Sequence, residues 1–428
     1  MTIPKRYYRY GIAAEKDLFD GIRDEDSVYG FVLPAQLIVD QRMSLSPWLR
    51  ERTFFIDPMT HVWFSDLCDL RASDGKTFKR SYEKLRQEYD SPFSDLSPPG
   101  GKLDAASILS SPGKLEHFIA SAERVVSFQS TYVQDRIDEE IVEYNRILAE
   151  EGYGIRDLNA MAQDERTKPD RLVLPYVYFT STQTSEYELN KRIWDWFANK
   201  DRSPVPYCAM IATSEPSSDW DAIVRDLKGK VTQVIVWFSQ INEQSSGADQ
   251  LIRVRKACSS LAKNDFHVHL HSGGAFAMGL GFDGVESVSG GATYGERRPM
   301  TLVEGGPVPQ RYFIPQLLRV FPLAEATFAF ERLGLDCNNR CCEGLDSDVN
   351  AFVERFFPGK KDTSWGPTWY TKLHYALRFA QKMDEIWKDG KSTGLSRLTE
   401  MMHAAESAGL HEDYWQHLNT WIEAYSDR

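Results

Sequence analysis

The chain alternates short apolar runs with longer stretches in which apolar residues return every three or four positions. Eight runs read as strands: 30–39, 53–56, 124–128, 172–179, 207–213, 231–238, 266–271 and 284–289. They are rich in Val, Ile, Phe and Tyr, and turn formers close most of them. Between them 133–151, 186–198, 218–227 and 248–263 carry helical spacing, as with Ile137, Ile141, Tyr144 and Leu148. Such alternation predicts a parallel sheet, and eight units within roughly 260 residues predict an α/β fold of the (β/α)8, TIM-type barrel kind. A doubly wound open sheet is the structural alternative. The segment 66–123 lacks strand character and reads as a helical insertion after the second strand. Beyond Pro315 the pattern is helical, at 371–386, 394–408 and 413–424. The expected organisation is a barrel over 1–325, its first residues an extension packed on the body, and a helical C-terminal region over 326–428.

Composition narrows the setting. With 42% hydrophobic residues in 428, the chain can bury a large core. No apolar run reaches the eighteen or so residues that span a bilayer, and the N-terminus lacks an apolar signal core, so the default expectation is a cytoplasmic protein without a membrane partner. A net charge of −12 argues against a generic polyanion binder unless basic groups are concentrated locally. Arg297 with Arg298 and the group at Lys76, Lys79, Arg80, Lys84 and Arg86 are such concentrations, the second also readable as the solvated side of a helix.

The candidate chemistry lies where runs end. In a β/α barrel, polar residues at the carboxyl ends of strands line the catalytic cavity. Asp57 closes the run TFFI, although Asp before Pro is also a turn former. Glu286 sits inside FDGVESV, where a carboxylate is costly to bury unless paired or used; the bland alternative is an ion pair with Arg297 or Arg298. Two carboxylates across a pocket are the usual means of breaking a glycosidic bond. His267, His269 and His271 alternate on one face and, with Asp57, His61 and Glu286, offer a metal-hydrolase reading or, for the first two, satisfied core histidines. His271, next to the Gly-Gly turn, is the pocket candidate among them. Cys337, Cys341, Cys342 and His374 contain donors for a structural zinc, in the irregular spacing C-x-x-x-C-C; buried thiols are the alternative.

Four short motifs in 28–385 make the chain resemble the tRNA-guanine transglycosylase superfamily, which includes relatives acting on DNA. LGFDGVESV (280–288) is similar to the strand bearing the family's nucleophilic Asp, which puts Glu286, or in another register Asp283, in that role. TFFIDPM (53–59) is similar to the strand ending in a second catalytic Asp, here Asp57. RVVSFQSTY (124–132) is similar to the strand whose Asp grips guanine, with Gln129 at that position. Trp237 and Phe238 stand where glycines floor the base pocket. LHY followed by RF (373–379) is similar to the helix giving the zinc histidine, His374, with the cysteines upstream.

The resemblance implies a barrel with a zinc-bearing C-terminal appendage and an enzyme that attacks the anomeric carbon of a flipped-out nucleotide in DNA or tRNA. Attack by a free base then gives exchange, and attack by water gives excision. Gln129 in place of Asp suits a base other than guanine, such as a modified base in phage DNA, with Trp237 and Phe238 stacking on it and Arg297 and Arg298 on phosphate. A metal-dependent hydrolase and a non-catalytic tRNA-binding subunit are the other classes. A homodimer is left open.

Overall fold

The computed structural model describes residues 3–11, 18, 22, 28–40, 52–98, 100–150, 169–200, 203–216, 219–291, 298–301, 311–335 and 368–426, the side chains of 133–150, 323–324 and 368–370 excepted. In chain order the elements are β1 (Lys5–Arg9), β2 (Gly30–Pro34), α1 (Ala35–Asp40), β3 (Thr53–Asp57), α2 (Arg80–Tyr89), α3 (Ala105–Leu109), α4 (Pro112–Glu150), β4 (Leu172–Val173), α5 (Ser185–Ala198), β5 (Tyr207–Thr213), α6 (Trp220–Leu227) and β6 (Gln233–Phe238), so the expected strand 30–39 turns helical after Pro34 and that of 172–179 forms a ladder only at its first two residues. They continue with α7 (Ala248–Lys263), β7 (His267–His271), α8 (Ala275–Gly279), β8 (Val285–Gly290), β9 (Arg311–Ile314), β10 (Arg319–Pro322), α9 (Leu323–Arg332), α10 (Thr368–Trp387), α11 (Lys391–Ser407) and α12 (Gln416–Ser426).

β1 to β8 form one parallel sheet in the order β3-β2-β1-β8-β7-β6-β5-β4, with helices following β5 and β6 in the expected alternation. This is the TIM-type arrangement, nearly closed. The two ends of the sheet, β3 and β4, meet without a continuous ladder. One backbone bond, from Asp170 N–H to Phe54 O at 2.8 Å, joins them, and side chains do the rest. Gln129 on α4 accepts from Val173 N–H at 2.8 Å and donates to Val173 O at 2.7 Å. Thr60 donates to Tyr176 O at 2.7 Å and accepts from its N–H at 2.8 Å. Each supplies the donor and acceptor that a neighbouring strand would have given.

Several expectations change here. The stretch 124–128 is part of α4, not a strand: Phe118, Ala122, Val125, Val126 and Gln129 are all buried on it and recur at helical spacing. The eighth strand is instead β1, within the segment expected to be an extension. Its sequence KRYYR hides the pattern because both faces are buried. Tyr7 points into the barrel against Phe55 and His269, whereas Tyr8 donates to Ala376 O at 3.3 Å and Arg6 lies over the Phe379 ring, both under α10. Since α4 runs through residue 123, no strand resumes at that expected end of the insertion. β9 and β10 form an antiparallel hairpin, its second strand beyond Pro315 where only helices were expected. The C-terminal helices come close to their expected positions. They pack on the barrel: Trp421 Nε1 donates to Glu243 O at 2.7 Å, and Arg255 of α7 donates to Ala424 O. Among the described residues, no helix is long and apolar enough to cross a membrane.

Candidate functional site

The inward positions of the barrel carry unusually many polar groups. β7 and β8 run side by side in a register that pairs His269 with Ser287 and His271 with Ser289, so an H-x-H strand faces an S-x-S strand inside the barrel. At the carboxyl end of the barrel, β3 ends in Asp57, which is 1% exposed, and the buried Arg298 reaches it from the segment after β8.

Asp57 is fully engaged. Its Oδ2 accepts from Arg298 Nη1 at 2.6 Å, and its Oδ1 accepts from Tyr176 Oη at 2.8 Å and from Met59 N–H at 3.0 Å. The last bond closes a turn in which Met59 takes the left-handed backbone, φ 57°, so Asp57 is a turn former and an ion-pair partner at once. Burial, the largest single influence, opposes ionisation of this carboxyl, but Arg298 together with His61, the Met59 N–H and Arg9 holds the pKa below the usual value. The guanidinium also lies 4.3 Å from the centre of the Trp237 ring, whose Nε1 donates to Arg298 O at 2.9 Å.

Arginine fixes the direction of every bond that follows. Because it only donates, the 2.8 Å contact from Arg298 Nη1 makes His271 Nε2 an acceptor, leaving the ring proton on Nδ1. His271 Nδ1 then donates to Ser289 Oγ at 2.8 Å, and Ser289 donates to His269 Nε2 at 2.9 Å. His269 Nδ1 donates in turn to Ser287 Oγ at 2.8 Å. A single directed chain therefore runs down the barrel interior from Arg298, which donates to Asp57 on its other side. Burial, reinforced by Arg298 for His271 and by Arg171 for His269, pushes both imidazoles well below the ordinary histidine value, and both are neutral at pH 7. Beneath them Arg171, Asp170 and the Tyr7 hydroxyl form a second, partly buried group, with 2.7 Å between Tyr7 Oη and Asp170 Oδ2.

His61, on the 3-10 turn Thr60–Trp63, completes the upper layer. It stacks on Tyr176 at 5.1 Å and meets Trp237 edge-on at 4.9 Å. Its Nδ1 has no hydrogen-bond partner among the described residues. Burial and then Arg298 keep this ring neutral too.

The sequence-derived site is rearranged by these positions. Glu286 does not face Asp57. It is the second residue of β8, at the opposite end of a parallel barrel, where its exposed side chain meets exposed His267 at 2.6 Å. Glu286 is the residue skipped where the β7–β8 register shifts, between Val285 opposite Val268 and the inward Ser287 opposite His269, and its side chain is exposed. Asp283 precedes the same end of β8, beside Arg255 and Lys391 at 3.9 and 3.7 Å. Gln129 serves the barrel seam rather than a base. Trp237 faces inward, but Phe238 points outward onto Trp220 of α6, 5.6 Å away. Arg298 is not on offer to phosphate, since Asp57, His271 and the Met59 sulfur take its guanidinium. His271 does lie inside the barrel. The members that sequence reasoning missed are Tyr176, Ser287 and Ser289. The serines were legible, in principle, as a period-two polar set beside the histidine run.

For zinc, the described donor does not fit. His374 stacks on Tyr312 at 4.2 Å, its Nδ1 lies 3.2 Å from Tyr312 Oη and its Nε2 3.0 Å from Phe313 O, so both nitrogens are in use. Cys337, Cys341, Cys342 and Arg297 lie outside the described residues. Among those described, no group of three His, Cys, Asp or Glu residues is placed to hold a metal. His269 and His271 likewise have both ring nitrogens bonded within the protein. The chain matches no protein-family model and no curated protein.

Proposed function

We propose that this protein is an enzyme that acts on the N-glycosidic bond of a nucleobase in DNA or RNA, with Asp57 as its one essential carboxylate in place of a carboxylate pair. The observation that supports it most is an anionic carboxylate held in a dehydrated position at the carboxyl end of β3, beside a histidine nitrogen that no described protein group engages. Cleavage of such a bond builds positive charge on the sugar, and a fixed anion in a low-dielectric pocket stabilises that charge without reorganising. Tyr176, Arg298 and the Met59 N–H orient the carboxylate. Neutral His61 is the group suited to move a proton to or from the base or a water. Trp237 stiffens the floor under both. Excision and exchange remain alternatives within this reading, as do DNA and tRNA.

The test is release of free base, or its exchange, from modified and unmodified DNA and tRNA, followed by mass spectrometry. The reading expects Asp57→Asn to lose about 10²–10³-fold in rate and Glu286→Gln to lose little. It falls if the native protein releases and exchanges no base, or if a folded Asp57→Asn variant keeps its full rate.

One observation favours a second reading, a non-catalytic barrel that binds RNA or a protein partner. Both oxygens of Asp57 already have protein donors, as a structural ion pair would require. On that reading Asp57→Asn lowers stability and leaves binding of tRNA unchanged.

A further inference from the structure

The buried 3-10 turn that carries His61 is held from outside the barrel by α2 and the segment between α2 and α3. Tyr89 Oη donates to Pro58 O at 2.7 Å, Leu103 N–H donates to Trp63 O at 2.8 Å, and Lys102 Nζ donates to Val62 O at 2.8 Å. The last two satisfy carbonyls at the end of a short turn, which has no further helical N–H to offer them. The same Lys102 ammonium donates to Cys68 O at 2.7 Å. Cys68, itself fully buried, donates through Sγ to Met300 O at 3.1 Å, two residues beyond Arg298. Lys102 therefore joins two separate stretches, one bearing His61 and one that grips the segment bearing Arg298. A lysine suits this place, because its three donors can serve two carbonyls and a charged donor makes the stronger bond. His61 Nδ1 has no hydrogen-bond partner among the described residues, so where that nitrogen stands follows from the backbone beneath it and from the rings of Tyr176 and Trp237 around it.

We propose that Lys102 is a positioning residue, which by bridging Val62 O and Cys68 O holds His61 in register with Arg298 and, through Arg298, with Asp57. A group that moves a proton has to stand within about 0.5 Å of its working place, and supporting hydrogen bonds are what fix it there. Tyr89 secures the Asp57 end of the turn by its bond to Pro58 O, so loss of Lys102 loosens the His61 end selectively. The effect of Lys102 on rate rests on the reading of His61 as the proton-moving group; its effect on placement does not.

Nitrogen NMR of the full chain, read without substrate, tests the placement. Lys102→Met moves the His61 ring signals and leaves those of His269 and His271 in place, because Arg298 and the two serines hold those rings independently. Lys102→Arg, which keeps a charged donor, returns the His61 signals toward the native ones. In base release, Lys102→Met lowers kcat by about 10²-fold with KM unchanged, and Lys102→Arg recovers most of the loss. Cys68→Ala cuts the bridge on its other side, moving the Arg298 guanidinium signals while those of His61 stay, and it decides the matter if Lys102→Met does not fold. The inference is overturned if folded Lys102→Met gives native His61 signals, if its His269 and His271 signals move as far as those of His61, or if Cys68→Ala leaves Arg298 unchanged. A native chain that releases no base removes the proposed function and leaves the bridge to be judged by the ring signals.

Discussion

Arg298 Nη1 lies 2.6 Å from Asp57 Oδ2 and 2.8 Å from His271 Nε2, so one buried guanidinium couples the end of β3 to the end of β7. Both partners are almost wholly shielded from water. Removing one member of such a pair strands the other charge in the interior, which costs about 3–5 kcal/mol. Arg298→Met is therefore expected to lower unfolding free energy by about that amount, read by chemical denaturation at pH 7. A loss below about 1 kcal/mol would show that water reaches the pair.

The same pair sets an acid limit. The pKa of Asp57 is lower in the folded chain than the value near 3.8 it has when unfolded, so its contribution is complete above that value. It is lost as pH falls from about 4 through the folded pKa. Stability measured between pH 6 and pH 2 should fall less steeply in Asp57→Asn than in the native chain. Parallel curves below pH 4 would contradict the assignment.

His269 and His271 act in a different window. Their folded pKa values are depressed, so the unfolded chain takes up protons first and stability declines as pH falls below about 6.5. Nitrogen NMR of the imidazoles should show both rings neutral and protonated on Nδ1 at pH 7. Ser289→Ala breaks the link between the rings, and His271 alone should keep its Nε2 shift because Arg298 still holds it. A ring protonated on Nε2 in His271 would reverse the chain.

The barrel seam gives a fourth prediction. Gln129→Leu preserves volume but leaves both Val173 backbone groups without partners, at about 1–3 kcal/mol for each. Hydrogen exchange at Val173 should rise with it. Protection unchanged at that amide would mean that β3 closes the ladder directly.

Glu286 supplies the contrast. Its pair with His267 is more than half exposed on both sides, and Glu286→Gln should change stability by no more than about 1 kcal/mol and leave activity near the native level. A deep loss of base release in this variant would restore the carboxylate pair.

The repeating pattern of apolar runs was enough to indicate a parallel β/α barrel, because burial on both faces leaves its mark on each strand regardless of neighbours. The runs at 207–213, 231–238 and 266–271 and the C-terminal helices were legible for that reason. β1 was not, since its polar residues are buried by partners hundreds of positions away, and Arg6 and Tyr8 look exposed until α10 covers them. Residues 124–128 are apolar enough for a strand, and only the longer helical period from Phe118 to Gln129 distinguishes them. Asp57 could be named from its place at a strand end. Its partner could not, because Glu286 is excluded only by its place at the far end and on the outer face of β8, and Arg298 arrives from the segment after that strand. A one-residue difference in strand phase turns a side chain from the interior to solvent, and that phase is fixed by packing across the whole sheet.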